Sequence, residues 1–396
     1  MRDNSKQVSR RTVLKAAGAS VATIAAGGLA AADPGDTVQV NVGFASDSGR
    51  RAALDAADDV VHEFAFDAVT IRAAKRAVTG LESRGDVRYV ERDGTYHALA
   101  QTLPWGIDRV DADVAHANGE TGNGADIAII DTGIDDDHPD LQANIADPSV
   151  DSNHKAYETC RGKNCNYPWS DDDDHGTHCA GIADAVNNTE GVVGVSTEAT
   201  LHALKVLDKS GSGSWSNVAK AIEYTADQGW DVASMSLGGS SGSSTVKDAC
   251  QYAYDRGVLL VAAAGNDGPC SDCVGYPAAY QEVVAVSATS CDDSLASFSS
   301  TGPEVELAAP GEDVYSTVIG GYDTFSGTSM ACPHVSGAGG QLMADGYTNT
   351  EARDQLKSTA EDIGLSSNEQ GAGLLDVAAA LGLDSSDDGT GDGPNC

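Results

Sequence analysis

Three short segments carry residue types that cooperate in nucleophilic catalysis. An apolar run, residues 128–130, ends in Asp131; His175 opens a helical pattern; and a glycine-containing turn leads into Ser329 at the start of another helical pattern. A serine hydroxyl is a weak nucleophile until a neighbouring base takes its proton and an acid orients that base. Singly, each signal is weak, because Asp often ends a turn and Ser often caps a helix. Their combination in one chain points to nucleophilic catalysis.

The elements around these segments predict a parallel sheet. Residues 104–383 alternate apolar runs of strand length with helical patterns. The strand-like runs are residues 127–130, 201–206, 232–235, 258–264 and 283–285, and the helical patterns are residues 176–186, 216–228, 244–256 and 328–344. Buried strands that alternate with helices are typical of a doubly wound α/β fold. In such sheets the active groups collect at the carboxyl ends of the strands.

Residues 33–99 predict a separate, smaller α+β unit. The patterns in it are a strand at 38–44, a helix at 50–60, an extended stretch at 61–71, a helix at 73–83 and a strand at 87–90. Residues 92–102 show no pattern of their own. The length of 396 residues also favours two folded units. We expect the acidic tail, residues 384–396, to be disordered.

The net charge excludes two classes of partner. The chain has 60 Asp plus Glu against 24 Lys plus Arg, a net charge of -36. Residues 1–99 hold 13 basic and 13 acidic side chains, and residues 100–396 hold 11 and 47, so the second part carries the whole charge. Nucleic acids and anionic membranes are bound through Lys and Arg, so we expect neither as a partner.

Two further conclusions follow from composition. Hydrophobic residues make up 41% of the chain, which is enough for a core and argues against disorder. Charge of this size on a folded surface repels itself unless salt screens it. We therefore expect a protein adapted to high salt, with improved solubility alone as the alternative.

The first 32 residues have the pattern of an export signal. Arg10 and Arg11 form a twin-arginine pair ahead of an apolar stretch, residues 16–32, which ends in three alanines before Asp33. The stretch is too weak for a convincing membrane span, and no later segment reaches that length. We predict a twin-arginine signal peptide at residues 1–32 and an extracellular product.

All nine cysteines follow residue 99. In an exported protein some should pair, and the odd number leaves at least one free or bonded to another chain. Cys160 with Cys165, and Cys270 with Cys273, stand in polar loops that suit short bridges. The second pair could also belong to a zinc or redox motif, although a zinc ribbon would need a second such motif, which the sequence lacks.

In the order Asp, His, Ser, the three segments resemble the subtilisin family of serine proteases. Within that family the chain looks closest to the halolysin-like secreted proteases of salt-loving archaea. The resemblance implies a small α+β propeptide domain at residues 33–99, followed by a catalytic domain with a subtilisin-like, doubly wound parallel sheet at residues 100–383. It also implies a serine endopeptidase with protein and peptide substrates.

The resemblance assigns a role to each catalytic residue. Ser329 would attack the peptide carbonyl, His175 would take and return the proton, and Asp131 would hold the imidazole. Residues 262–268 match the family's oxyanion segment, which makes Asn266 a donor to the developing negative charge.

Other reactive side chains near these motifs are interpreted as structural. They are His178, His334, Cys179 and Cys332, the two thiols being small hydrophobes in the core. We interpret the acid run at residues 171–174 as a solvated face rather than a metal site, close enough to raise the pKa of His175.

Substrate contacts also follow from the resemblance. One wall of the primary pocket would be formed by Ser236, Leu237, Gly238 and Gly239. The facing wall would be formed by Ala263, Ala264 and Gly265. The edge strand that pairs with the substrate backbone would contain Gly211, Ser212 and Gly213. Walls of Gly and Ala without a central charge favour apolar side chains over Lys or Arg. We expect broad, apolar-leaning specificity, with a dedicated processing protease as the alternative.

Calcium is the ion that the resemblance implies, because the matched positions offer oxygen ligands. They are Gln101, Asp140, Asn188 and the carbonyls of Val186, Glu190 and Val192.

Self-cleavage is expected between Leu99 and Ala100, where the sequence resembles a propeptide end joined to a mature start. Residues 33–99 would assist folding and act as an intramolecular inhibitor until they are degraded. We expect the mature enzyme to be a monomer.

Overall fold

A computed structural model describes residues 37–92 and 101–385 of the chain. These residues form two compact units, one on each side of the gap. The predicted signal peptide, the expected cleavage site at Leu99 and Ala100, and the tail beyond residue 385 lie outside the described residues. The two units are considered separately.

The first unit is a four-stranded antiparallel sheet with two helices. Its elements are β1 (Thr37–Phe44), α1 (Asp47–Ala56), β2 (Asp59–Glu63), β3 (Ala68–Ala74), α2 (Lys75–Glu82) and β4 (Val87–Arg92). The strand order is β2-β3-β1-β4. The predicted first helix is too long: it ends at Ala56, and Val60 belongs to a strand, where it pairs with Ile71. β-branched residues such as Val favour a pleated, half-buried surface over a helix.

The second unit contains more helices and strands than the first. They are α3 (Trp105–Arg109), α4 (Ala112–Ala117), β5 (Asp126–Asp131), β6 (Lys155–Ala156), α5 (His175–Asp184), β7 (Thr200–Lys205), α6 (Trp215–Gln228), β8 (Val232–Met235), α7 (Ser244–Tyr254), β9 (Leu259–Ala263), β10 (Val283–Thr289), β11 (Val305–Pro310), β12 (Val314–Val318), β13 (Gly321–Phe325), α8 (Thr328–Ala344), α9 (Asn349–Thr359), α10 (Ser367–Gln370) and α11 (Val377–Ala380).

Seven parallel strands form the centre of this unit, in the order β11-β10-β9-β8-β5-β7-β6. Alternate residues of β5 face opposite sides of the sheet, with Ile127 and Ile129 in one core and Ala128 and Ile130 in another. The first core includes residues of α5, α8 and α9, and the second includes residues of α6 and α7. A sheet buried on both faces needs continuous apolar strands, as the sequence has. The predicted doubly wound α/β fold is confirmed.

Several elements had no counterpart in the sequence prediction. Strand β6 has only two residues, β11 ends in a proline, and β12 and β13 form a two-stranded antiparallel hairpin. Such short or half-exposed strands carry little periodic signal. No helix within the described ranges is long and apolar enough to cross a membrane.

Both predicted short disulfides are formed, Cys160 with Cys165 and Cys270 with Cys273. Because Cys270 and Cys273 are bonded to each other, this motif is a disulfide rather than the zinc site considered as an alternative. Cys179, Cys250 and Cys332 are free and buried.

Candidate active site

Asp131 and His175 meet at the carboxyl end of the sheet. Asp131 is the last residue of β5 and His175 is the first residue of α5. The imidazole Nδ1 lies 2.7 Å from Asp131 Oδ1, and this carboxylate is only 1% exposed. The same oxygen accepts a hydrogen bond of 2.7 Å from the Thr132 backbone N–H. The acid is therefore fixed by its own strand end, and it holds the imidazole with Nε2 left for other partners.

The surroundings of His175 favour its protonated form. Burial alone would lower the pKa, but the carboxylate of Asp131, as a charge and as a hydrogen-bond acceptor, outweighs burial, and Asp173 and Asp171 add to it. Together they raise the pKa of His175 to about 9. The imidazole is thus a stronger base than a histidine in water, and it is free to accept a proton only at alkaline pH.

Ser329 stands in the first turn of α8, directly after Gly327 and Thr328. Its hydroxyl donates to the carbonyl of Ser236 at 3.3 Å. Its own carbonyl accepts from the Ser236 hydroxyl at 2.7 Å. Inside a helix this carbonyl would accept from the N–H four residues later, but that residue is Pro333, which has no N–H. The proline therefore frees the Ser329 carbonyl to tie the helix start to the Ser236 segment.

Asn266 is oriented by the same turn. Its Oδ1 accepts two hydrogen bonds of 2.9 Å from Thr328, one from the backbone N–H and one from the hydroxyl. With the oxygen fixed, the Nδ2 amide is the free end of the side chain. A Cβ placed on Gly327 would lie 3.5 Å from Asn266 Nδ2 and 3.6 Å from the Ser329 nitrogen. Two N–H groups therefore border one small space, the arrangement that binds a developing oxyanion.

A cleft of about 440 Å³ extends from His175 along the segments that follow the carboxyl ends of β7 and β8. Two of the three predicted substrate segments line it, namely Gly211, Ser212 and Gly213 with Ser236, Leu237, Gly238 and Gly239. Sequence reasoning missed the larger side chains of the cleft, which are Leu207, Trp215, Val218, Val246, Tyr276 and Tyr280. The spacing of Trp215 and Val218 on one helical face could have signalled two of them.

The third predicted segment does not line that cleft. Ala263 and Ala264 are buried at the end of β9, and Ala264 accepts a hydrogen bond from the Gly275 nitrogen at 2.8 Å. A Cβ on Gly275 would lie 3.3 Å from the Gly239 carbonyl oxygen and 3.6 Å from the Ala264 carbonyl oxygen. Gly275 thus stands between the two predicted walls, and its missing side chain leaves the space between them open. Sequence reasoning overlooked this glycine.

His178 and His334, the other two histidines of the catalytic motifs, lie within hydrogen-bond distance of backbone carbonyls. His178 Nε2 lies 3.1 Å from the Val314 oxygen, and its ring stacks on Phe325. His334 Nδ1 lies 2.8 Å from the Met330 oxygen. Burial lowers the pKa of His178 to about 3 and that of His334 to about 4, so both rings stay neutral. Cys179 and Cys332 are buried among apolar residues, and burial raises the pKa of both thiols.

The interpretation of residues 171–174 as a solvated face was wrong for Asp171 and Asp172, whose side chains are buried, whereas Asp173 and Asp174 are partly exposed. Asp171 is 1% exposed and accepts from the Thr177 N–H at 2.9 Å and hydroxyl at 2.6 Å. Asp172 forms an ion pair with Lys205, which is fully buried. Asp173 lines the cleft. A run of like charges is expected to be solvated, but here each side chain meets a different element of the fold.

The six residues proposed for calcium form one hydrogen-bonded cluster. Gln101 Nε2 donates to the carbonyls of Val186 at 2.8 Å and Val192 at 3.0 Å. Asp140 accepts from Asn188 Nδ2 at 3.0 Å and from the Val192 N–H at 2.8 Å. The Asn188 side-chain oxygen accepts from the Glu190 N–H at 2.7 Å.

The chemistry of this cluster fits a hard cation. Asp140 is fully buried, and within the described ranges it forms no ion pair with Lys or Arg. A Cβ on Gly191 would collide with Asp140 Oδ2 and the Tyr322 hydroxyl, so only glycine lets the loop close around the carboxylate. A buried carboxylate in a cluster with backbone carbonyls and two side-chain amides can offer calcium an oxygen donor set once both amides turn their oxygens toward the ion.

Comparisons with known proteins place the chain in a family. Residues 122–373 match the model of the Subtilase family. The chain is 42% identical over 311 residues to subtilisin amylosacchariticus from Bacillus subtilis subsp. amylosacchariticus, covering 77% of this chain and 78% of that protein. It is 40% identical over 326 residues to an alkaline protease from Alkalihalobacillus alcalophilus, covering 81% of each. It is 41% identical over 286 residues to a subtilisin from Bacillus pumilus, covering 71% of this chain and 99% of that protein. On these grounds the chain belongs to the Subtilase family of subtilisin-like serine proteases.

Proposed function

We propose that this protein is a serine endopeptidase in which Ser329 is the nucleophile, His175 the general base and acid, and Asp131 the group that orients the base. The observation that carries the proposal is the bond of 2.7 Å between His175 Nδ1 and Asp131 Oδ1, beside a pocket lined by both Ser329 and Asn266. Acid, base, nucleophile and amide donor come from four separate elements, and their convergence matches the requirements of acyl transfer.

The reaction starts with rotation of the Ser329 hydroxyl away from the Ser236 carbonyl toward His175 Nε2. The serine oxygen attacks the peptide carbonyl carbon while its proton passes to Nε2, and Asp131 stabilises the imidazolium. The carbonyl oxygen gains negative charge in the space beside Gly327, where the Ser329 N–H and Asn266 Nδ2 donate to it. The imidazolium then protonates the leaving amine, and water repeats the sequence on the acyl-enzyme.

The cleft supports a broad, apolar-leaning specificity. Gly211, Ser212 and Gly213 would pair with an extended substrate backbone, a mode that places little demand on sequence. Leu237, Trp215 and Val218 offer apolar contacts to side chains that point into the cleft. Gly275 leaves room between the two walls of the primary pocket.

We further propose that the cluster around Asp140 holds a structural calcium ion. Asp140 and Asn188 would supply side-chain oxygens, and Val186, Glu190 and Val192 would supply carbonyls. Gln101 and Asn188 would each have to turn the amide oxygen toward the ion, a rotation that exchanges two atoms of nearly equal size. The bound ion neutralises the buried carboxylate and so stabilises the folded loop.

Export and maturation complete the proposal. Residues 1–32 would direct export by the twin-arginine route, and residues 33–99 would act as a propeptide that inhibits the enzyme until it is cut between Leu99 and Ala100. The resemblance stated above supports this division, as does the α+β structure of residues 37–92. The mature part carries the whole net charge of -36, so we expect it to lose activity below about 1 M salt, where screening weakens.

Ser329→Ala tests the proposal at its centre. The variant should accumulate as uncut precursor in a protease-free host, while the wild type should mature and react with a sulfonyl fluoride at Ser329. Normal maturation of the variant would overturn the nucleophile assignment. Digestion of a mixed peptide library across salt concentrations then measures specificity: cleavage of a single sequence would favour a dedicated processing protease, and full activity without salt would contradict the salt requirement.

A further inference from the structure

Lys205 is a buried cation next to the active site with no role in the mechanism above. It is the last residue of β7, and its side chain is 0% exposed. A buried ammonium group is costly unless it is paired and its protons are all used in hydrogen bonds.

The ammonium group of Lys205 meets three acceptors. It donates to the carbonyl oxygen of Thr132 in a short bond, to Asp172 Oδ1 at 2.6 Å and to the carbonyl oxygen of Leu207 at 3.0 Å. Asp172 is itself buried, with a side chain 7% exposed. An ammonium group has three protons, so this environment satisfies all of them.

Each acceptor belongs to a different part of the catalytic machinery. Thr132 follows Asp131, and its hydroxyl accepts from the Gly176 N–H at 2.8 Å, directly after His175. Asp172 is three residues before His175. Leu207 lines the cleft and begins the segment that leads to the substrate-pairing strand.

The position of Lys205 explains why a side chain is needed here. In the parallel register Lys205 is opposite Asp131, and both strands end at these residues. Beyond that point no backbone N–H in the described part of the chain donates to the Thr132 or Leu207 carbonyl. The ammonium group reaches past the end of the ladder and supplies them instead.

Asp172 is held from its other side by a disulfide-bonded loop. Its Oδ2 accepts from the Arg161 N–H at 2.6 Å, next to Cys160 of the Cys160–Cys165 bridge. The carboxylate therefore links this loop to Lys205, and through Lys205 to the end of β5.

Given the proposed function, on which this inference rests, we propose that Lys205 is a positioning residue of the active site. It joins the strand end that carries Asp131, the segment that leads into His175, and the edge of the substrate cleft. Its role is geometric, since its ammonium group donates only to protein acceptors and does not contact the reacting atoms. Loss of these bonds lets Asp131 and His175 shift relative to the substrate, and a displacement of about 1 Å can cost about 100-fold in rate.

The test compares Lys205→Met with the double variant Lys205→Met/Asp172→Asn, using full-length precursor matured in the usual way. Lys205→Met removes the donor and leaves Asp172 as a buried, unpaired charge, so it lowers both stability and kcat. The double variant also removes that charge, which keeps a foldable protein for the measurement. Lys220→Met, on an exposed lysine paired with Glu223, is the matched control. Circular dichroism and thermal unfolding establish folding, and kcat and KM are measured separately on a tetrapeptide substrate.

We expect the double variant to recover thermal stability but to retain a kcat about 100-fold below the wild type, with KM changed far less. Recovery of wild-type kcat in the double variant would overturn the inference, because the lysine would then serve only to neutralise Asp172. An unchanged kcat in folded Lys205→Met would overturn it as well. A wild type that neither cleaves peptides nor reacts with a sulfonyl fluoride would instead overturn the proposed function.

Discussion

Two buried aspartates nine residues apart serve different purposes in this protein. Asp131 is 1% exposed and Asp140 is 0% exposed, so burial does not distinguish them. Asp131 lies 2.7 Å from a histidine nitrogen, whereas Asp140 accepts from Asn188 Nδ2 and the Val192 N–H. The first carboxylate has a neighbour, His175, that is a cation whenever it is protonated, and the pKa of this imidazole is raised to about 9. The second carboxylate accepts from two neutral groups, a side-chain amide and a backbone N–H.

This difference separates catalysis from stability in the structure. A buried carboxylate next to an imidazole holds the imidazole in place and stabilises its protonated form, which sets the proton transfer that the proposed reaction requires. A buried carboxylate whose hydrogen-bond donors are neutral matters throughout the life of the fold, because its burial is costly and the proposed calcium ion would offset that cost. Changes in the first environment should alter kcat, and changes in the second should alter stability.

The largest effect is expected from Asn266→Ala. The change removes Nδ2, the proposed donor to the oxyanion, and also Oδ1, which accepts two hydrogen bonds from Thr328 at the start of α8. Loss of one such donor costs about 10²–10³ in kcat, a figure that comes from subtilisin itself. KM should stay near the wild-type value, and the free energy of unfolding should fall by about 1–3 kcal/mol because two hydrogen bonds from Thr328 lose their acceptor. The control Asn123→Ala on the surface should change neither. If the fall in kcat came entirely from unfolding of the variant, Asn266 would be a structural residue rather than a donor to the oxyanion.

Gly327→Ala should have a smaller effect of the same kind. The new methyl group would occupy the space between Asn266 Nδ2 and the Ser329 nitrogen, where the proposed oxyanion would form. The backbone at Gly327 is extended, with φ of 164°, so alanine fits without strain. We expect kcat to fall about tenfold, equivalent to about 1.4 kcal/mol. Gly321→Ala, where the methyl would enter open space, is the control, and equal kcat in the two variants would place the oxyanion elsewhere.

Asp140→Asn should lower stability and leave kcat unchanged. Calcium at about 100 times its dissociation constant stabilises a folded protein by about 2.7 kcal/mol, and the variant should lose most of this. Thermal unfolding with calcium and with a chelator measures the difference, which should be large in the wild type and small in the variant. Asp248→Asn, at an exposed position, should behave like the wild type. A wild type indifferent to the chelator would contradict the calcium proposal.

Asp173→Asn should have the smallest effect, on the pH profile. Burial lowers the pKa of His175, and the charges of Asp131, Asp173 and Asp171 raise it to about 9. His175 acts as a base only when unprotonated, so kcat/KM should rise with pH through this region. With the charge of Asp173 removed, the imidazolium is less favoured, the pKa falls and the rise moves toward neutral pH. The change in kcat/KM should stay below about tenfold, the equivalent of one pKa unit. An unmoved profile would show that Asp173 is screened from His175.

Much of the fold was predictable because its strands are short, apolar and regularly spaced. The predicted run at residues 232–235 and the helix at residues 328–344 agree with β8 and α8 at both ends. The predicted helix at residues 50–60 was wrong beyond Ala56, where pairing with β3 overrides the helical pattern. Local periodicity cannot show which strand a segment will pair with.

The sequence alone determined the reactive residue types and their order, since Asp131, His175 and Ser329 are in motifs that local pattern makes visible. Tertiary structure alone decided how each acidic residue is used. Asp171, Asp172 and Asp173 are adjacent and chemically identical, yet one binds Thr177, one binds buried Lys205 and one lines the cleft. The reason is physical: a side chain's charge is a property of the residue, but its pKa, partner and role depend on groups that folding brings within a few ångströms.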